Sequence, residues 1–376
     1  MRHADRPTVV LVGAHGYGRT HLRNLARLDA AGRVRLAGVA DPQPSDAEQR
    51  ALSGDAPHAA DAATLIAAVG PDVVVLATPL HTHVDLALLA FRSGAHVLLE
   101  KPPAPTLDGL DLLLAAQRQA GVACQVGFQA NGSGAVDELT RLIGRQSLGE
   151  IRRIGVTGLW YRDAAYWTRS PWAGRQELDG RPVGDGALTN PFAHGVALAL
   201  VLDGSAGHEP IGAVELETYR TRPVQTHDTA SARIETARGT PVTIAVTLCA
   251  DPPDEPFVDV FGSAGSARLH YTEDRLDTAA GSSGYPRVDL MENLLDHLAD
   301  PGVALLAPLA GTHAFTQVME AIRVGPQPTP VAEHELTDLA GVVRRAAAGG
   351  LLYSETGAPW ATAAPFRWTP TSVSAG

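Results

Sequence analysis

The chain predicts a two-part α/β protein, with a parallel, doubly wound first half and a β-rich α+β second half. Three observations carry this. Short apolar, β-branched runs alternate with helical patterns through the first third of the chain. A glycine-rich turn, Gly13-Ala14-His15-Gly16-Tyr17-Gly18, joins the first such run to the first helical pattern. Beyond about residue 150 the strand–helix rhythm gives way to a series of alternating apolar runs.

Thr8–Val12 reads as a buried parallel strand. After the glycine turn, His21, Leu22, Leu25 and Leu28 recur at helical spacing. Strand, glycine turn and helix in that order bring backbone N–H groups and a helix N-terminus together, which suits a pyrophosphate. Gly13, His15, Gly16, Tyr17 and Gly18 are therefore candidate dinucleotide contacts. The spacing departs from G-x-G-x-x-G, because His15 stands at the second glycine and Gly16 follows it. His15 either tilts outward or touches the cofactor itself. The next strand, Val34–Ala40, ends at Asp41-Pro42. An acid there accepts hydrogen bonds from the adenosine ribose hydroxyls and repels a 2′-phosphate, so NAD is favoured. Arg50 offsets part of that repulsion, and NADP stays open.

Asp72–Ala77 is a further strand, opening into Thr78-Pro79-Leu80-His81-Thr82-His83 and a helix through Phe91. Ala95–Leu99 then ends at Glu100-Lys101-Pro102, followed by a helix over Thr106–Ala120 and a strand over Val122–Val126. Lys101 is the most telling single residue. It leaves the carboxyl end of a buried strand between an acid and Pro102-Pro103, so its backbone is stiff and its ammonium aimed. In open α/β sheets ligands bind at the strands' carboxyl ends.

The segments Gly13–Gly18, Asp41-Pro42, Ala77-Thr78-Pro79 with His83, Glu100-Lys101-Pro102 and Val126-Gly127-Phe128-Gln129 together resemble the Gfo/Idh/MocA oxidoreductases. The resemblance implies an N-terminal Rossmann domain and a C-terminal domain with an open, mostly antiparallel sheet. It places domains at 1–128 and 129–330; residues 331–376 extend past the matched part and read as a C-terminal helix and extended tail. It implies cofactor contacts from Thr78, Pro79, His83, Glu100, Lys101 and Gln129 as well. Gly184–His194 is similar to the family's glycine-rich stretch leading into a catalytic helix, and His194 falls on the catalytic histidine. Asn190 stands where many relatives carry aspartate, and Ala197 near the place of a further acid. A four-residue spacing would set Asn190 and His194 on one helix face. A neutral histidine suits removal of a hydroxyl proton, and Lys101 suits a developing alkoxide.

Only 5% of the chain is aromatic, yet five aromatic residues fall within Trp160–Arg175. Aromatic faces pack on sugar C–H faces and arginines bind hydroxyls or carboxylates. Tyr166, Trp172 and Arg175 are accordingly candidate substrate contacts, and the resemblance around His194 implies Asn190 as another; closing a small satellite core is the other reading of the aromatics. His81 and His83 form His-x-His, but no Cys or acid cluster completes a metal site.

At 376 residues and 45% hydrophobic, the chain accommodates two domains. The formal charge of -11 argues against nucleic acid, and no apolar run reaches membrane-spanning length. Met1–Pro7 lacks a signal-peptide apolar core, and Cys124 and Cys249 read as reduced core residues, which points to the cytoplasm. Strands are expected at Glu150–Trp160, Ile211–Tyr219, Ala230–Thr236, Val242–Cys249, Phe257–Phe261 and Ala267–Tyr271, and helices at Asn190–Leu202, Met291–Ala299, Thr312–Arg323 and Glu335–Ala348. Asp251–Pro256 and Ala280–Tyr285 read as loops. One sheet face must be solvated or paired with a second subunit, hence an expected homodimer or homotetramer. The activity expected is NAD(P)-dependent hydride transfer at a secondary alcohol or ketone of a sugar, cyclitol or polyol. Two alternatives stand beside it: a non-enzymatic dinucleotide or sugar sensor, and an elimination or glycoside-cleaving enzyme that oxidises its substrate transiently.

Overall fold

The computed structural model describes residues 6–207 and 211–370. The chain divides into two compact units. The first begins with β1 (Thr8–Val12), α1 (Gly18–Ala30), β2 (Arg35–Ala40), α2 (Ala47–Ser53), β3 (His58–Ala59) and α3 (Ala62–Val69). It continues with β4 (Val73–Leu76), α4 (His83–Arg92), β5 (His96–Leu99), α5 (Leu107–Ala120) and β6 (Cys124–Val126). The strands form one sheet in the order β3-β2-β1-β4-β5-β6, parallel throughout. β4 and β6 are buried along their whole length and β1 from Val9 onward, as expected of strands covered on both faces. The strand order reverses between β1 and β4, which opens a crevice at their carboxyl ends.

The second unit contains α6 (Gly134–Gly144), β7 (Ile151–Tyr161), α7 (Ala164–Trp167), β8 (Glu177–Leu178), β9 (Arg181–Pro182) and α8 (Ala193–Asp203). Then follow β10 (Ala213–Arg220), β11 (Thr229–Glu235), β12 (Pro241–Thr247), β13 (Cys249–Gly262), β14 (Ser266–His270), β15 (Arg275–Thr278) and β16 (Gly281–Gly284). After α9 (Leu290–Ala299) come α10 (His313–Val324), β17 (Thr329–Pro330), α11 (Leu339–Gly349) and β18 (Phe366–Trp368). The main sheet runs β16-β15-β14-β13-β7-β12-β11-β10-β17, with β18 also on β10. It is mostly antiparallel; β7 with β12 and β10 with β17 are the parallel pairs.

Four features differ from the sequence reading. α9 belongs to the first unit, where Leu290, Met291, Leu294 and Leu295 join the core of Leu22, Leu25 and Leu28. Its apolar stripe marks a helix but not which core receives it. Asp251–Pro256 lies inside β13, whose register on β7 shifts at Cys249–Asp254 and Asp254–Phe257. The prolines, which cannot donate to a ladder, sit in those bulges. Ala280–Tyr285 includes β16, a strand of small residues held by pairing with β15. Finally, the described residues from Val331 to Pro370 belong to the second unit rather than standing apart. Leu339, Val342, Val343 and Ala346 of α11, with Tyr353 and Trp360, bury Leu159, Tyr219 and Ala245 of the sheet. That part of the face expected to be solvated or to meet a second subunit is covered by the chain's own C-terminal segment.

Candidate active site

In the first unit the predicted cofactor residues gather at the strand ends. Gly13 adopts φ +86°, and a Cβ there would come within 2.4 Å of the Ala77 carbonyl oxygen. A Cβ on Gly18 would come within 2.1 Å of the Gly13 carbonyl oxygen. Both glycines are therefore needed to fold the turn back on itself. Gly16, at φ +55°, has open space where a Cβ would stand. No side chain caps α1 and no acid lies in its first turn, so nothing in the sequence competes with an anion there. These features fit a bound dinucleotide pyrophosphate.

Asp41 follows β2 with its side chain only 8% exposed. One of its oxygens, Oδ2, accepts the Ala14 amide at 2.8 Å and lies 3.0 Å from His15 Nδ1. The other, Oδ1, accepts the Gln43 amide at 2.9 Å. Burial pushes the carboxyl up, but the His15 bond and the two amides outweigh it and hold Asp41 below the usual aspartate range. His15 thus tilts towards the acid that follows β2.

Thr78 and Pro79 lead from β4 into the turn before α4, with the Thr82 hydroxyl donating to Thr78 Oγ1 at 2.7 Å. His83 is buried and clamps two strand-end turns. Its Nδ1 lies 2.8 Å from the Pro102 carbonyl oxygen and its Nε2 2.8 Å from that of Thr78. Burial pushes its imidazolium down, while the two facing carbonyls act in the opposite sense. With both nitrogens occupied, His83 acts as a brace between the two turns.

Lys101 emerges half-buried from β5, and its bond to Pro102 is cis. The preceding Glu100 is buried, with Oε1 2.7 Å from His21 Nε2. Its Oε2 accepts the Lys101 amide at 3.2 Å. Tyr17 meets the His21 ring edge-on at 5.4 Å. Gly127 completes the arrangement, since a Cβ there would lie 2.6 Å from Glu100 Oε1. The buried Glu100–His21 pair therefore fixes the backbone from which Lys101 projects. From sequence His21 reads as one more helix-face residue, and Gly127 only as part of the Val126–Gln129 segment.

The second unit holds the remaining predicted residues. His194 lies in the first turn of α8, half-buried, with the Phe128 ring edge-on at 5.8 Å. Phe128 packs in turn on Phe315 at 5.1 Å. Asn190 is not on α8, contrary to the four-residue expectation. Helical geometry begins at Ala193, and Asn190 precedes Pro191, which disfavours helix at the residue before it. Asn190 Nδ2 instead donates to Asp185 Oδ1 at 2.6 Å.

Asp185 is the residue the sequence reading passed over. Its side chain is 3% exposed, and both its oxygens lie 2.9 Å from Arg169 Nη2. It also accepts the Gly174 amide at 2.9 Å. Asp185 therefore ties the Asn190 turn to the aromatic segment. Within that segment, Arg169 stands 3.8 Å from the Tyr166 ring centre and 4.6 Å from that of Trp172. Arg162 lies 4.8 Å from the Trp160 ring and 5.3 Å from Tyr166, and Trp160 stacks on Phe192 at 4.9 Å. The rings alternate with guanidinium groups along the segment. Burial, and then the Asp185 charge, push the Tyr166 phenol up to about 12. Arg175 is exposed and joins the network through its carbonyl, which accepts the Asp185 amide at 3.0 Å. Gln129 lies in the second unit, where its carbonyl accepts from Arg287 at 3.0 Å. Among the described residues no cluster of His, Cys, Asp or Glu forms a metal site, and no helix is long and apolar enough to cross a membrane.

Residues 8–128 match the model of the oxidoreductase family with an NAD-binding Rossmann fold, and residues 136–268 match the Gfo/Idh/MocA C-terminal domain. A putative UDP-kanosamine synthase oxidoreductase subunit of Amycolatopsis mediterranei is 33% identical over 278 residues, covering 70% of this chain and 74% of that protein. The scyllo-inositol 2-dehydrogenase (NAD(+)) of Bacillus subtilis is 30% identical over 151 residues, or 40% of this chain and 43% of that enzyme's length. The WlbA dehydrogenase of Bordetella pertussis, solved with NADH and UDP-GlcNAcA, superposes with a TM-score of 0.70 at 23% identity, covering 87% of this chain and 99% of that one. With a Rossmann sheet carrying its lysine at β5, a histidine at the head of α8 and both domain models matched, the chain belongs to the Gfo/Idh/MocA family of NAD-binding oxidoreductases.

Proposed function

We propose that this protein is an NAD(P)-dependent oxidoreductase that oxidises a secondary alcohol, or reduces the matching ketone, of a sugar, cyclitol or related polyol. The observation that carries the reading is Lys101. It leaves β5 on a backbone fixed by the buried Glu100–His21 pair, in the same unit as an uncapped glycine turn and an acid after β2. When bound, the dinucleotide supplies the hydride acceptor. The amides of Gly13–Gly18 hold its pyrophosphate, Asp41 its adenosine ribose, and Thr78 and Pro79 lie along the same row of strand ends.

The chain's own groups then manage the proton and the charge. Lys101 donates to the carbinol oxygen and stabilises negative charge as it develops. His194 takes the hydroxyl proton on an imidazole nitrogen. Asn190, anchored by Asp185, holds the turn ahead of His194, and the Tyr166–Trp172–Arg175 segment borders the substrate. A cytoplasmic homo-oligomer is proposed with this reading; Cys124 and Cys249 are buried free thiols, as suits a reducing compartment.

The test is Lys101→Met, with dinucleotide binding and turnover measured separately on a panel of inositols, glucosides and nucleotide sugars. Turnover should fall by at least about a hundredfold, as for loss of one donor to a developing oxyanion. Affinity for NAD should stay within about threefold. Unchanged turnover would reject the assignment. His194→Gln should lower turnover similarly and flatten its pH profile near neutrality.

A further inference from the structure

The acid after β2 is the usual discriminator between NAD and NADP, yet here it is not a free carboxylate. An ionised carboxylate only accepts, and its two oxygens offer about four lone-pair positions. Asp41 Oδ2 already takes the Ala14 amide at 2.8 Å and His15 Nδ1 at 3.0 Å. Its Oδ1 takes the Gln43 amide at 2.9 Å. One acceptor position is therefore left, where a ribose diol would use two. Because the carboxylate cannot donate, the proton of this contact sits on His15 Nδ1, and the imidazole draws charge away from the carboxylate face. His15 stands at the second position of the glycine motif, and its side chain remains 30% exposed.

The arginines of α1 do not supply an alternative explanation. Arg19 pairs with Asp46 at 2.6 Å and with Glu48, and Arg23 pairs with Glu48 at 2.6 Å. These two guanidinium groups of α1 are thus already paired with α2 and its cap, and the third, Arg27, pairs with Glu292.

We infer that His15 is the coenzyme-specificity residue: by occupying one oxygen of Asp41 it weakens ribose-diol recognition and the repulsion of a 2′-phosphate together, so the protein binds both NAD and NADP. The inference rests on the cofactor reading above but not on the identity of the substrate.

The experiment titrates the full chain with NAD and NADP, without substrate, by calorimetry or intrinsic fluorescence. For the native protein the two dissociation constants should lie within about tenfold. His15→Gly restores the ordinary glycine and frees one acceptor position on Oδ2, which keeps the Ala14 amide. It should tighten NAD, weaken NADP and raise the ratio of their constants at least about thirtyfold, the scale of one charge-assisted hydrogen bond. His15→Gln keeps a donor and should hold the ratio within about threefold of the native value. A ratio unmoved by His15→Gly, with NAD still bound, would overturn the inference alone. Native protein that binds NAD and excludes NADP would do the same. Failure to bind either dinucleotide would overturn it together with the cofactor reading.

Discussion

Asp185→Asn tests whether one buried carboxylate ties the Asn190 turn to the aromatic segment of the second unit. In the native chain the two oxygens meet Arg169 Nη2 at 2.9 Å each, the Gly174 amide at 2.9 Å and Asn190 Nδ2 at 2.6 Å. All of these partners donate. An asparagine keeps one acceptor and turns the other position into a donor. If its oxygen keeps Asn190, its amide faces the Gly174 N–H and Arg169, and a buried donor is left without an acceptor. That costs roughly 1–3 kcal/mol. Breaking the charge pair with Arg169 adds to this; the full figure of about 3–5 kcal/mol for a buried pair is discounted because the Arg169 side chain is 26% exposed. A total near 3 kcal/mol corresponds to a fall of roughly 6–12 °C in melting temperature for a unit of this size. Calorimetry and urea titration measure it. Adding Arg169→Met closes a double-mutant cycle, in which the pair should cost less than the sum of the singles. A melting temperature within about 2 °C of native, or strict additivity in the cycle, would refute the network.

Two further perturbations read other parts of the molecule. Gly127→Ala places a Cβ 2.6 Å from Glu100 Oε1, which is buried and held by His21, so the strand end must shift; a loss of about 1–3 kcal/mol is expected by urea titration, with turnover falling beyond that of a stability control. His227 is fully buried, and burial pushes its imidazole from 6.5 down to about 4. The unfolded chain therefore binds a proton below about pH 6.5 that the native chain refuses until about pH 4. Stability from this group is complete above the upper value and is lost as pH falls through the window, by about 3 kcal/mol in all. His227→Gln, whose oxygen can still accept the Leu188 amide, should flatten urea midpoints between pH 7 and pH 4; an unchanged slope would assign the acid sensitivity elsewhere.

The parallel sheet was legible because burial on both faces forces long β-branched runs, and glycines mark the turns between them. Helices were legible from apolar residues recurring at helical spacing, and the observed ends differ by one to a few residues, as for Thr312–Arg323 against His313–Val324. What escaped are elements whose reason is a partner rather than a pattern. β3, β8, β9 and β17 have two residues each and exist through pairing. α9 carries an amphipathic stripe that fits either core, and only the returning chain path assigns it to the first. The cover of the second sheet by Tyr353, Trp360 and α11 escaped because composition does not say which buried face an aromatic will reach.

The site divides along the same line, and the division bears on its chemistry. Lys101 and His194 sit in local contexts, a strand end before prolines and the head of a helix, that a linear motif can carry. Their supports do not. Glu100 and His21 are 79 residues apart, and Asp185 meets Arg169 across 16. Replacing an acid by Asn190 looked like the removal of charge from the neighbourhood of His194. In the fold, Asn190 is hydrogen-bonded to a carboxylate five residues earlier, so the negative charge is displaced rather than removed. It is also shared with Arg169, which neutralises it locally. An amide polarised by a paired carboxylate can orient a neighbour while placing little net charge beside it. Asn190→Asp would put two acids within hydrogen-bond reach of each other around one arginine. Their mutual repulsion would raise one carboxyl well above its usual range. The turn ahead of α8 is therefore built for a neutral side chain at position 190, and restoring the acid should cost stability near neutral pH that returns on acidification.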